Sequence, residues 1–185
     1  MKAVGVLSVV LVGLVAGCAS APKGSSTGLG QISKTDTICV KNFDASQAVF
    51  KGEYSDVPEK VSEDRARIPG IISTEMMKYL MAKGYTVKSY SADVTGNEVV
   101  VDGAVTVVER GSAAARMLVG MGAGKALMRA NVKIYRASAP DSALAEFPAV
   151  GSSGGSGGVL AYMDWNGANA KHLGIDVAKR IVRGR

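Results

Sequence analysis

The sequence predicts an α+β fold: a two-layer sandwich with helices on one face of a mostly antiparallel sheet and a helix at the C-terminus. Three observations lead there. Periodic segments run strand, helix, four strands, helix, which is not the regular strand–helix alternation of a parallel sheet. Residues 125–135 alternate cleanly between apolar and polar, as a strand with one wet face does. The chain has 185 residues and is 47% hydrophobic, enough for one core but short of the roughly 250 residues of an α/β barrel.

The N-terminus carries an address. Lys2 is the only charge before position 23, and Ala3 to Gly17 form an apolar run broken by Ser8. That run is short for a spanning helix, which needs roughly 20 residues, but it suits a signal-peptide core behind a positive front end. It ends in Leu14-Val15-Ala16-Gly17-Cys18, which resembles the bacterial lipobox. The resemblance implies that residues 1–17 are a lipoprotein signal peptide and that the Cys18 thiol takes a diacylglycerol. Acyl chains on Cys18 would exceed the two hydrophobic signals that make attachment stable. Ala19 and Ser20 follow, with no Asp after the cysteine, which implies export to the outer membrane, lipid-anchored and facing the periplasm. An ordinary secretory signal or a plain membrane anchor are the alternatives. With Cys18 lipidated, Cys39 is left without an intramolecular disulfide partner. Within Ile38-Cys39-Val40 it reads as a small buried hydrophobe.

Residues 18–35 are small and polar without periodicity and read as a flexible tether, leaving 36–185 as a single α+β periplasmic domain. Thr37 to Phe43 is β-rich and predicts the first strand. In the charged stretch that follows, Asp56, Glu59, Glu63 and Asp64 read as a solvated helix face rather than a weak cation site. Pro58 and Pro69 each suit a first helical turn, so the expected helix spans 69–83 with a shorter piece at 59–67. Ile68, Ile72, Met76, Tyr79 and Leu80 recur at helical spacing, and Gly84 closes the helix. Tyr85 to Tyr90 predicts a strand and 93–97 a turn. Glu98 to Arg110 predicts a long strand with Val99, Val101, Val105 and Val107 on one face. Residues 111–124 break the period. Beyond them Ala126, Met128, Ala130, Val132 and Ile134 face one way, and Lys125, Leu127, Arg129, Asn131, Lys133 and Tyr135 the other. Ala143 to Val150 predicts a last strand, 151–158 a Gly/Ser loop, and Ala170, Leu173, Val177 and Ile181 the C-terminal helix. There is no internal repeat and no sign of a second domain.

The block Arg116-Met-Leu-Val119-Gly120-Met-Gly122-Ala-Gly124, the alternating strand after it and the later Ser/Gly run resemble a family of uncharacterised bacterial outer-membrane lipoproteins classed as a domain of unknown function. Lipobox and C-terminal helix extend the likeness over most of the chain. A looser architectural resemblance runs to periplasmic outer-membrane lipoproteins of secretion channels and of peptidoglycan-synthase activators. The family has no assigned activity, so the resemblance implies class and compartment and carries no catalytic residue.

Enzyme motifs fail on inspection. A phosphate loop needs Gly-x-x-x-x-Gly-Lys followed by Ser or Thr; here Val119 fills the first glycine's place and Ala126 follows Lys125. Gly122 and Gly124 read instead as positions of tight turn or close backbone packing. Residues 151–155 match Gly-x-Ser-x-Gly with Asp164 and His172 downstream, but five glycines in eight residues cannot hold Ser153 rigid. One His and one unlipidated Cys build no zinc site, and no cofactor is indicated. Between Arg110 and Pro140 lie six basic residues and no acidic one. Lys125, Arg129 and Lys133 share a strand face spanning about 26 Å at roughly 3.3 Å per residue. With Arg116 they form the candidate surface for an anionic envelope partner, unless they only keep an edge strand from aggregating. The aromatic interleaving of a nucleic-acid binder is missing. The sequence therefore points to a non-enzymatic envelope lipoprotein that binds or assembles with peptidoglycan, anionic lipid or an outer-membrane protein complex. The alternative is a small envelope hydrolase using Ser153 or Cys39.

Overall fold

Six valines in twelve residues make Val99–Arg110 the strongest β segment of the chain, and it is the strand on which the sheet is assembled. The computed structural model describes residues 28–52, 54–111, 126–152 and 164–184. Its strands are β1 (Thr37–Val40), β2 (Val49–Gly52), β3 (Thr86–Ser89), β4 (Val99–Arg110), β5 (Leu127–Arg136) and β6 (Ala143–Gly151). Helix α1 (Pro58–Ala82) joins β2 to β3, and α2 (Trp165–Arg183) follows β6. The order in the sheet is β3-β1-β4-β5-β6, with β2 also on β4. Along one edge of β4 the chain lays down Ile38–Val40 opposite Val99–Val101, a bridge from Asp44 to Ala104, then Val49–Gly52 opposite Val107–Arg110.

The α+β class holds, and the sheet is mixed. β4, β5 and β6 are antiparallel, whereas β1 is parallel to both β3 and β4, and β2 is parallel to β4. The expectation of a mostly antiparallel sheet describes the three long strands. The short ones are parallel because α1 acts as a crossover connection, which returns the chain in the same direction. Strand β2 was not foreseen.

One core cluster takes Val99, Val101, Val105 and Val108 from β4, Met128 to Ile134 at alternate positions from β5, and Ala145, Phe147 and Ala149 from β6. Against them pack Ile68, Ile72, Met76 and Leu80 of α1 and Ala170, Leu173, Val177 and Ile181 of α2, each no more than 1% exposed. Val107 is not on this face as expected. A bulge between Val105 and Val107 slips the alternation by one residue and turns Val108 inward instead. Across the sheet, Cys39, Val100 and Tyr135 form a small second cluster.

Two further expectations change. Helix α1 is a single 25-residue helix with Pro58 at its start and Pro69 inside it, not two pieces meeting at Pro69. Proline removes one backbone hydrogen bond there. The apolar stripe continues through it, and the Ser73 hydroxyl donates to the Pro69 carbonyl at 2.9 Å. Gly84, at φ +83°, follows the end of the helix as expected. The tether boundary at 35 is too late. Leu29, in a 3-10 turn over Leu29–Gln31, and Ile32 belong to the core, and Arg136 of β5 clamps Asp36 at 2.7 Å. Among the described residues no helix is long and apolar enough to cross a membrane.

The two helices meet at Gly174. A Cβ built there would lie 2.4 Å from the Ile72 carbonyl oxygen and 3.2 Å from the Met76 nitrogen, both backbone atoms that cannot swing aside. Gly174→Ala is therefore expected to cost about 1–3 kcal/mol, the range for overpacking, with a matching fall in melting temperature on thermal denaturation.

Candidate functional site

The basic strand face is the first place to look. β5 alternates as expected, but Lys125 and Arg116 lie outside the described residues, as do Ser153 and the glycine block with Gly122 and Gly124. Arg129 is exposed and stands between Val107 and Val150 in register. Lys133 stands between Asp102 and Glu146, its ammonium 5.7 Å from the Tyr135 ring. Strand register thus sets Lys133 beside two acidic residues, of which Asp102 is paired with Lys41 at 2.7 Å. Nor is β5 an edge strand needing protection, because β4 and β6 flank it.

The candidate nucleophile among the described residues lacks activation. Cys39 is fully buried, and burial pushes its thiol up, with the Glu98 carboxylate adding to the effect. A thiol must ionise to attack. Of the residues downstream of Ser153, Asp164 caps α2, and His172 is exposed eight residues on, about 12 Å along a helix at 1.5 Å per residue.

Asp164 leads instead to a cleft of about 400 Å³. It opens where β4 ends at Arg110, where the turn after β2 carries Tyr54, and where the first turns of α1 and α2 come together. At its centre is Arg67 of α1. Its Nη1 donates to Asp164 Oδ2 at 2.5 Å, and its Nη2 donates to Asp164 Oδ1 and to Asp64 Oδ1, both at 2.8 Å. Asp164 Oδ1 also accepts from the Gly167 backbone N–H at 2.9 Å, the N-cap of α2. A Cβ at Gly167 would lie 2.1 Å from Asp164 Oδ2, so a side chain there would push the carboxylate off this cap. The other oxygen of Asp64 accepts from the Asn166 side-chain amide. One guanidinium thereby ties two helices 97 residues apart in sequence.

Two polar atoms in this network have no partner: Nε of Arg67, a donor, and Oδ1 of Asn166, an acceptor, both buried. Asn166 is only 5% exposed. At the rim the Arg110 guanidinium lies 4.6 Å over the Tyr54 ring, while Lys60 pairs with Glu63 at 3.0 Å. Tyr54 is half-exposed at φ +65°, the only non-glycine residue with positive φ among those described. None of the cleft residues was singled out from the sequence as a binding group. Asp64, read as solvated, is 8% exposed; its signal was its position four residues before Ile68 on the buried stripe. Among the described residues no group of three or more His, Cys, Asp or Glu is placed to hold a metal.

The Arg67 fork holds the Asp164 carboxyl below the ordinary aspartate value of 3.8, and Asp164 in turn raises Arg67 further. A carboxyl depressed in the folded state contributes stability above its unfolded pKa and loses it as pH falls through the folded one. Arg67→Met is expected to cost about 2–3 kcal/mol at pH 7, below the roughly 3–5 of a fully buried pair because Arg67 is partly exposed. Urea titrations from pH 7 down to pH 3 should show wild type losing stability below about pH 4 and the variant losing less.

Comparison with curated proteins finds no match. Among solved structures, two forms of the PelC dodecamer from Paraburkholderia phytofirmans are similar. One, a point variant, is 13% identical, with 81% of this chain and 91% of that chain covered and a TM-score of 0.48. The other is 12% identical, covering 86% and 92%, with a TM-score of 0.47. A neuraminyllactose-binding hemagglutinin homolog from Helicobacter pylori is 11% identical over 78% of this chain and 84% of that one, with a TM-score of 0.40. The family described as a domain of unknown function, DUF4410, matches residues 38–158, about two-thirds of the chain, from β1 through the Gly/Ser run. The protein belongs to that DUF4410 family.

Proposed function

We propose that this protein is a lipid-anchored lipoprotein of the bacterial cell envelope, held on the outer membrane facing the periplasm, whose domain is a non-catalytic binding module. The observation that carries the reading is Leu14-Val15-Ala16-Gly17-Cys18 at the end of an apolar run. Among the described residues Leu29 is the first hydrophobic residue buried in the core, eleven positions after Cys18, a span of at most about 40 Å. A domain so anchored works close to the membrane surface. The cleft supports the binding half of the proposal: polar groups converge in a concave site, while neither the Cys39 thiol, buried on the other face of the sheet, nor the helix-capping Asp164 is suited to nucleophilic catalysis. Arg129, exposed and without a carboxylate opposite it in the register, is the part of the basic face best placed to meet an anionic envelope surface.

Intact-mass measurement and membrane fractionation test the anchor. Wild type should carry diacylglycerol on Cys18 and partition with outer membranes. Cys18→Ala should accumulate as unprocessed precursor or soluble protein. Wild type free of lipid would end the proposal.

A further inference from the structure

Folded proteins leave few buried polar atoms unbonded, and those that remain call for an explanation. Here one such donor and one such acceptor belong to neighbours in a single network, since Arg67 and Asn166 each take one oxygen of Asp64. Both residues line an open cleft, and Asn166 is 95% buried with its carbonyl oxygen unused. We propose that this cleft is a binding site for an uncharged saccharide, with a sugar hydroxyl donating to Asn166 Oδ1 and a sugar oxygen accepting from Arg67 Nε.

The chemistry selects the class. A hydroxyl both donates and accepts, so adjacent hydroxyls satisfy an unmet acceptor and an unmet donor together. A carboxylate has no proton to donate and would leave Asn166 Oδ1 facing negative charge. The formal charges of the lining also cancel, with Lys60, Arg67 and Arg110 against Glu63, Asp64 and Asp164, so the site has no net pull on an ion. At the rim, the Arg110 guanidinium covers one face of the half-exposed Tyr54 ring, and an aromatic ring of this kind offers its open face to the C–H face of a pyranose. Tyr54 keeps that place in a left-handed backbone conformation that bulky side chains rarely adopt, and such strain gathers at binding sites. The volume, about 400 Å³, lies in the range of small-ligand sites and takes one or two sugar rings. The inference rests on the reading of the domain as a binding module.

Saturation-transfer NMR and calorimetry on the purified full-length protein test it, with glucose, galactose, N-acetylglucosamine, maltose and chitobiose as neutral probes and inorganic phosphate and glucose 6-phosphate as charged ones. At least one neutral sugar should bind in the millimolar range or tighter. Tyr54→Gly relieves the positive φ, so it should melt at or above the wild-type temperature yet bind at least about tenfold more weakly. No binding of any neutral sugar, binding undiminished in Tyr54→Gly, or binding of the two phosphates alone would each overturn the proposal. The sugar should be recovered intact. Its hydrolysis would contradict the non-catalytic reading while leaving the ligand class standing, and loss of the Cys18 anchor would leave both untouched.

Discussion

Arg67 is the point at which the two helices, the cap of α2 and the cleft all depend on one group. Asp64 is on the buried stripe of α1, where an ionised carboxylate is tolerated only with a cation and further hydrogen bonds to share its oxygens. The guanidinium supplies the cation, and its planar fork has donors left over for a second carboxylate. Asp164 takes them while also accepting from the free Gly167 backbone N–H in the first turn of α2. The start of α2 is thereby fixed over the third turn of α1. Further along, the same two helices are held by apolar contact and by the close approach at Gly174.

Polar groups at this end of the helix pair occupy positions that apolar side chains fill elsewhere in the core, and the space between them stays open. Four separate stretches contribute: the turn after β2, the first turns of α1, the last residue of β4 and the start of α2. The cleft therefore lies beside the carboxyl ends of the parallel pair β2 and β4, a position where sheet and helix termini bring backbone and charged groups together. The proposed binding site there and the proposed anchor at Cys18 are independent, and each can fail without the other.

How much of this was legible follows from what each element depends on. The α2 stripe and the alternation of β5 are local periodicities fixed by burial on one face, and both appear in the structure as expected. Val107 was misplaced because a bulge at one residue reverses the face of everything after it, and nothing local in six valines marks where it falls. Pro69 punctuates most helices; here Ile68 and Ile72 on either side are fully buried, and that packing outweighs one missing hydrogen bond. The acidic neighbours of Lys133, Asp102 and Glu146, come from strand register rather than sequence proximity, and Asp102 is itself taken by Lys41. Asp64 was the readable miss. The spacing 64, 68, 72, 76, 80 places it on the buried face, and Arg67 three residues on is its natural partner. The rest of the cleft, joined over as many as 112 residues from Tyr54 to Asn166, could not be seen without the fold.

The central claim is that the Arg67 fork couples α1 to the cap of α2, and a double-mutant cycle measures that coupling directly. Arg67→Met, Asp164→Asn and the double variant are compared with wild type by urea denaturation at pH 7; asparagine keeps the N-cap and removes only the charge. A bidentate, partly buried pair should give a coupling energy of about 1–2 kcal/mol. Single-variant effects that add to within about 0.3 kcal/mol would contradict the account, because the two helices would then be held without the fork.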